Sequence, residues 1–311
     1  MHDTAATALS PFDIAAILVV AAAIFGYLNH HFLRLPHVIG LTVMGALAAI
    51  LLTAVNALVP GITLDDSVAR LLEQMNFTDT LLEGMLSFLL FAGALHVDLD
   101  RLKADWLPVL LLSTVGVVTS TVLIGGAAWG LGLLLGAPIA PIWNFVFGAL
   151  ISPTDPVSVL GVLREENVPL SLQSAVAGES LFNDGVGIVV FTILLGAAVT
   201  GTDFSIGEGA RLFLIEAGGG VLVGLVFGWL GFRALRSMDE YTLEVLITLA
   251  VVMGGYALCS QLHISGPLAM AVAGLLIGNH GANLAMSDMT LDYVNKFWEL
   301  VDELLNSVLF L

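Results

Sequence analysis

From Trp106 to Thr154 the chain reads WLPVLLLSTVGVVTSTVLIGGAAWGLGLLLGAPIAPIWNFVFGALISPT, without a single Asp, Glu, Lys or Arg, and Asp155 follows at once. One helix needs roughly 20 apolar residues to cross the hydrocarbon core of a bilayer, so this stretch is long enough for two crossings. A second uncharged stretch, from Val245 to Ser287, is long enough for two more. The whole chain of 311 residues is 58% hydrophobic and 11% charged. Soluble domains carry about 25% charged residues, and this chain lacks the polar surface they need. The expected fold class is all-α, a polytopic transmembrane helical bundle.

Apolar runs and the breakers between them predict spans near 12–32, 37–59, 79–98, 106–135, 141–163, 170–200, 210–231, 243–261 and 264–280, with a last, partial one from about 295. The run 106–135 exceeds one core thickness, which predicts tilt or extension beyond the membrane. With the N-terminus outside, Arg34, Arg101, Lys103, Arg164, Arg233, Arg236 and Lys296 fall on the cytoplasmic side, and only Arg70 and Arg211 fall outside. That asymmetry follows the positive-inside rule and supports the span count together with the orientation. The expectation is a multi-pass protein of a cell (inner) membrane, one transmembrane domain over residues 1–311, without a soluble domain.

The formal net charge is −17, yet the acids lie mostly in short loops and at helix ends. Nine Lys and Arg spread over the chain form no basic face, which excludes nucleic acid as a partner. Cys259, the single cysteine, lies inside an apolar run and reads as a packing residue. The N-terminus lacks a basic segment and carries Asp3 and Asp13, unlike a secretory signal, so the first helix is expected to be retained. Gly218, Gly219, Gly220, Gly224 and Gly228 predict a helix packed closely on its neighbours. The chain stops at Leu311 inside the apolar run Leu304–Leu311, which reads as a C-terminal truncation.

Chemistry concentrates in two segments. The first is Gly148-Ala-Leu-Ile-Ser-Pro-Thr-Asp-Pro-Val157. Each proline removes a backbone donor and clashes with the preceding turn, so Pro153 and Pro156 predict a broken helix around Asp155. Broken helix at membrane depth survives only against protein or water, and it frees carbonyls and helix ends to hold ions. Ser152, Thr154 and Ser158 add hydroxyls. The second segment is Gly178-Glu-Ser-Leu-Phe-Asn-Asp-Gly-Val-Gly187. Ser180 and Asp184 share one helix face, and Glu179 and Asn183 share a neighbouring one. A charge at the bilayer centre costs about 2.5–3.5 kcal/mol on the lenient scale, so three acids in consecutive spans point to function. Asp155 also reads as a structural partner of a helix end or of Asn183.

Together these segments resemble the electroneutral branch of the cation/proton antiporters, the NhaP/NHE-type sodium/proton exchangers. Arg34-Leu-Pro-His-Val-Ile-Gly40 looks like the family's first loop. Phe91-Ala-Gly-Ala-Leu-His-Val-Asp-Leu99 looks like its third helix. Ser265-Gly-Pro-Leu-Ala269 with Ala273-Gly-Leu-Leu-Ile-Gly-Asn279 looks like its ninth. The resemblance implies an inverted-repeat transporter, its second repeat incomplete here, that exchanges Na+ for H+ by alternating access. In that reading Asp184 takes a cation or a proton but not both. Thr154 and Ser180 supply further oxygens to the transported Na+, Glu179 sits in or beside its shell, and Asp155 supports the crossing of broken helices. Asn183, where other branches have a second Asp, implies one cation per proton. Low pH favours the protonated site and high pH the sodium-loaded one. No bond is made, so neither an enzyme nor a cofactor is expected; the partners are monovalent cations, protons and the lipid bilayer. Relatives are commonly homodimers.

This chain has Ala92 where several relatives have Glu, and relatives continue beyond Leu311 with a second broken helix and a helical arginine. Exchange of K+, or of a broader cation range, is the nearest alternative. A remote one is an intramembrane aspartyl protease, whose paired carboxylates share a proton. Its Gly-x-Gly-Asp pattern differs from Asn183-Asp184-Gly185-Val186-Gly187, where the glycines follow the acid. A non-transporting membrane protein is a further alternative.

Overall fold

The computed structural model describes residues 11–35, 37–58, 84–136, 139–154, 170–201, 205–281 and 286–309. Every regular element among the described residues is helical, and they fall into two compact units, one within 1–85 and 300–311, the other within 86–299.

In the first unit, helix α1 (Pro11–Leu28) runs on through a wider π-helical turn (Asn29–Leu33), and α2 (His37–Leu58) follows. The connection is closed by Asn29. Its Nδ2 donates to the Leu35 carbonyl at 3.0 Å, and its Oδ1 accepts from the Leu35 amide at 3.3 Å. Gly40 sits directly against that side chain, where a Cβ would have no room.

The second unit holds the predicted site. Helix α3 (Leu86–Leu95) lies within the expected span 79–98. A short helix not anticipated from the apolar pattern, α4 (Leu99–Ala104), follows. Asp98 starts it by accepting from the Asp100 and Arg101 amides at 3.0 and 3.2 Å, a standard N-cap. Next, α5 (Trp106–Leu111), a π-helical turn (Leu112–Gly116) and α6 (Val117–Leu134) form one continuous rod. Its 29 residues are about 43 Å long at 1.5 Å each, more than one core thickness. At the π turn, the Ser113 and Thr114 hydroxyls both bond back to the Leu110 carbonyl.

Helix α7 (Pro141–Leu150) opens on a proline, tolerated in a first turn that has no donor to lose. It ends at Leu150, and Ile151–Thr154 leaves the helix ahead of Pro153. The expected break is therefore present on this side, while the remainder of that span lies outside the described residues. Helices α8 (Leu170–Thr200), α9 (Ile206–Leu235) and α10 (Tyr241–Leu262) fall on or slightly beyond their predicted spans.

Helix α11 (Gly266–Leu276) is the core of this unit, with every residue from Gly266 to Leu275 buried. A helix apolar all round is one enclosed by others. It lies between α3 and α9, and small residues permit the approach. A Cβ on Gly274 would come within 2.6 Å of the Phe91 carbonyl oxygen, and one on Gly220 within 2.6 Å of the Ser265 carbonyl oxygen. Gly224 and Gly228 also face α11, whereas Gly218 faces open space. The predicted small-residue face is thus confirmed, but it runs through Gly220, Gly224, Gly228 and Gly231, not through Gly218.

The last helix, α12, runs from Asp288 to Leu309, starting well before the expected 295. Within the second unit it buries Thr290, Val294 and Trp298, a stripe at four-residue spacing. The Trp298 ring lies 4.7 Å from that of Phe91, and its Nε1 donates to Thr248 Oγ1 at 2.9 Å.

By length and composition four described helices suffice to cross a membrane: Trp106–Leu134, Ala175–Thr200, Ile206–Leu235 and Tyr241–Leu262.

Candidate ion-binding site

Helix α8 carries Glu179, Ser180, Asn183 and Asp184, and the non-helical end of α7 delivers Thr154. Two side chains of α8 hold that end. The Ser180 hydroxyl donates to the Thr154 carbonyl at 2.6 Å. Asn183 Nδ2 donates to Thr154 Oγ1 at 2.8 Å and to Glu179 Oε1 at 2.9 Å. The Glu179–Asn183 pair realises the four-residue spacing read from the sequence, and the link to Thr154 ties it to the break. Glu179 Oε1 accepts in this pair, so the NH2 group of Asn183 faces it. Asn183 is 1% exposed, and among the described residues its Oδ1 has no hydrogen-bond partner.

The glycines of the motif position these groups by making room. Gly187 sits against Pro153, Gly185 against Leu268 of α11, and Gly178 against Leu102 of α4. Where Gly187 meets Pro153, a Cβ would push the Ile151–Thr154 segment away from α8. The buried Ser152 hydroxyl also accepts from Thr121 Oγ1 of α6, at 3.4 Å, which anchors the segment from the other side.

Asp184 is half-buried and follows Asn183, turned about 100° around the helix. Asp155 lies outside the described residues. The structure thus assembles Thr154, Glu179, Ser180 and Asn183 into one network, with Asp184 adjacent on the same helix. Glu179 also borders a cavity of about 330 Å3, whose wall includes Asp105. Asp105 was not singled out from the sequence, although an acid three residues ahead of Pro108 is an available signal.

At the start of the span expected near 243–261, Glu244 reads from the sequence as a helix-end acid that neutralises Arg233 or Arg236, and the structure does not pair it with either. It is completely buried, and among the described residues neither carboxyl oxygen meets a hydrogen-bond partner. The described ion pairs are Arg101–Asp98, Lys103–Asp100 and Lys296–Asp292, and none involves it. The Thr290 hydroxyl beside it donates to the Ser287 carbonyl instead.

Helical architecture with four described helices long and apolar enough to cross a bilayer is that of an integral membrane protein. The family model for the transmembrane sodium/hydrogen exchanger matches residues 19–311, and the chain belongs to that family. It is 44% identical over 298 residues to the Na+/H+ antiporter NhaP of Pseudomonas aeruginosa, covering 96% of this chain and 70% of that one. It is 35% identical over 251 residues to the Na+/H+ antiporter NhaH of Halobacillus dabanensis, covering 80% of this chain and 61% of that one. The sodium proton antiporter MjNhaP1 from Methanocaldococcus jannaschii, solved at pH 8, shares the fold, with a TM-score of 0.70 at 21% identity over 95% of this chain and 68% of that one.

Proposed function

We propose that the protein is a secondary active antiporter that exchanges Na+ for H+ by alternating access at Asp184. The observation that carries this reading is the Thr154–Asn183–Glu179 network, which holds a broken helix beside Asp184 in a chain of the sodium/hydrogen exchanger family.

Asp184 supplies the carboxylate for which the two ions compete. Ser180 directs its proton to the Thr154 carbonyl, which leaves its lone pairs for a cation. Thr154 Oγ1 accepts from Asn183 and so is held at a fixed position. Asn183 clamps the two segments without adding a second exchangeable carboxylate, which supports one cation per proton. Asp155 supports the helix break. The protein lies in the cell (inner) membrane with its N-terminus outside, so that the end of α4 and the start of α8 face the cytoplasm.

The test is sodium-dependent proton movement in everted vesicles, followed with a pH-sensitive dye, on the full-length protein. Sodium or lithium should restore the dye signal, and Asp184→Asn should abolish that recovery with expression and folding intact. Full exchange in Asp184→Asn would refute the site. Recovery with potassium alone would keep the mechanism and change the cation.

A further inference from the structure

The first unit carries a polar feature of its own, on a part of the chain that the ion site does not use. From Ile14 to Leu33 there is no charged residue, and roughly 20 such residues match one hydrocarbon core. Asp13 and Arg34 therefore mark the two membrane boundaries of this segment. At the Arg34 boundary lies a cavity of about 580 Å3, lined by Gly26, Asn29, His30, His31, Arg34 and Leu35. Sites for small ligands span roughly 300–1,000 Å3.

The lining suits an anion. It holds one guanidinium and two imidazoles and no carboxylate. Among the described ion pairs, none includes Arg34. Asp13 is the one acid among the described residues of 11–58, and at 1.5 Å per residue it lies about 30 Å along the helix from Arg34. The Arg34 backbone has a φ of 54°, in the left-handed region that side chains disfavour. It is held there by its amide, which donates to the Asn29 carbonyl at 2.7 Å, and by the buried Asn29 side chain, which brackets Leu35. The surroundings thus fix where the guanidinium emerges, and its planar fork matches the oxygens of a phosphate. In either tautomer each imidazole adds an N–H.

Beside the cavity the surface is apolar. Val20, Ile24 and Tyr27 are each more than half exposed and lead at intervals of four, three and four residues to His31, along one helix face. The Tyr27 ring stacks on His31 at 4.5 Å, and Phe32 is 76% exposed. Aromatic rings settle at the boundary between membrane and water. A free phosphate would match the cavity alone, whereas a lipid matches both the cavity and the face that leads to it.

We propose that this cavity binds the phosphate of an anionic phospholipid, with Arg34, His30 and His31 as donors and the acyl chains lying along Val20, Ile24 and Tyr27. The site is independent of the antiport reading.

The test is native mass spectrometry of the full-length protein in detergent with phosphatidylglycerol or phosphatidylcholine, with melting followed in parallel. Phosphatidylglycerol should bind at least roughly fivefold more tightly than phosphatidylcholine and raise the melting temperature more. Arg34→Gly suits the left-handed backbone, so it should fold as well as the parent and yet weaken phosphatidylglycerol binding roughly fivefold or more. Arg34→Lys should keep part of the affinity, since it keeps the charge and loses the fork. Equal binding of the two lipids, or undiminished binding of phosphatidylglycerol by Arg34→Gly, would overturn the proposal. So would millimolar inorganic phosphate that stabilises as much as the lipid, since the site would then take a free anion. A changed dimer fraction of Arg34→Gly in lipid-free detergent would mark this face as an interface between copies, and would overturn it too.

Discussion

Asn183 is the residue on which the site depends, because one amide nitrogen donates to two acceptors on different segments. An aspartate there would have no amide donor for Glu179 and would set a second carboxyl group beside it. Removing the buried amide takes the donor away from Thr154 Oγ1, on an exposed residue, and from Glu179 Oε1, on a half-buried one. Asn183→Ala should therefore lower stability by about 1–3 kcal/mol, seen as a lower melting temperature in detergent. Unchanged melting would mean that the network holds nothing in place. The spacing of Glu179 and Asn183 was readable, since residues four apart meet on any helix. Their partner Thr154 lies 29 residues from Asn183, and no local periodicity encodes that contact.

At the level of elements, the approach of α9 to α11 sets the architecture around the core. In α9, the consequence of a side chain depends on which face it occupies. Gly224 faces the Ala269 carbonyl and Val272, so Gly224→Val should force the helices apart and cost about 1–3 kcal/mol. Gly218 faces open space, so Gly218→Ala should be neutral or stabilise by up to about 1 kcal/mol through helix propensity. Thermal unfolding of the two variants in the same detergent checks the contrast, and equal effects would contradict the observed face. The sequence announced a small-residue face but not its register, because the glycines outnumber the contacts. It also misplaced the start of α12. Hydrophobicity marks the apolar half of that helix, whereas its beginning is set by Ser287, whose Oγ accepts from the Thr290 amide at 3.4 Å and donates to Asp239 Oδ1 at 2.8 Å.

For the molecule as a whole, the proposed function, with a single exchanging carboxylate beside Asn183, moves one positive charge each way per cycle. Net charge moved across a membrane would gain or lose about 2.3 kcal/mol per 100 mV. Exchange in proteoliposomes should therefore proceed at the same initial rate with the potential clamped at zero or at a negative value. A rate that follows the potential would require unequal stoichiometry. The all-helical membrane class and most span positions were determined by the sequence alone, because a hydrocarbon core imposes its thickness and polarity on every segment independently. The two site motifs were equally visible, since acids and paired prolines within apolar runs need compensation. The tertiary structure decided which groups meet: Asn183 with Thr154, Gly187 with Pro153, Glu244 sealed away from the arginines, and Asp105 left to line a cavity. Those outcomes depend on how separate helices approach and rotate against one another, and helix rotation is a property of the packed molecule that no single segment carries.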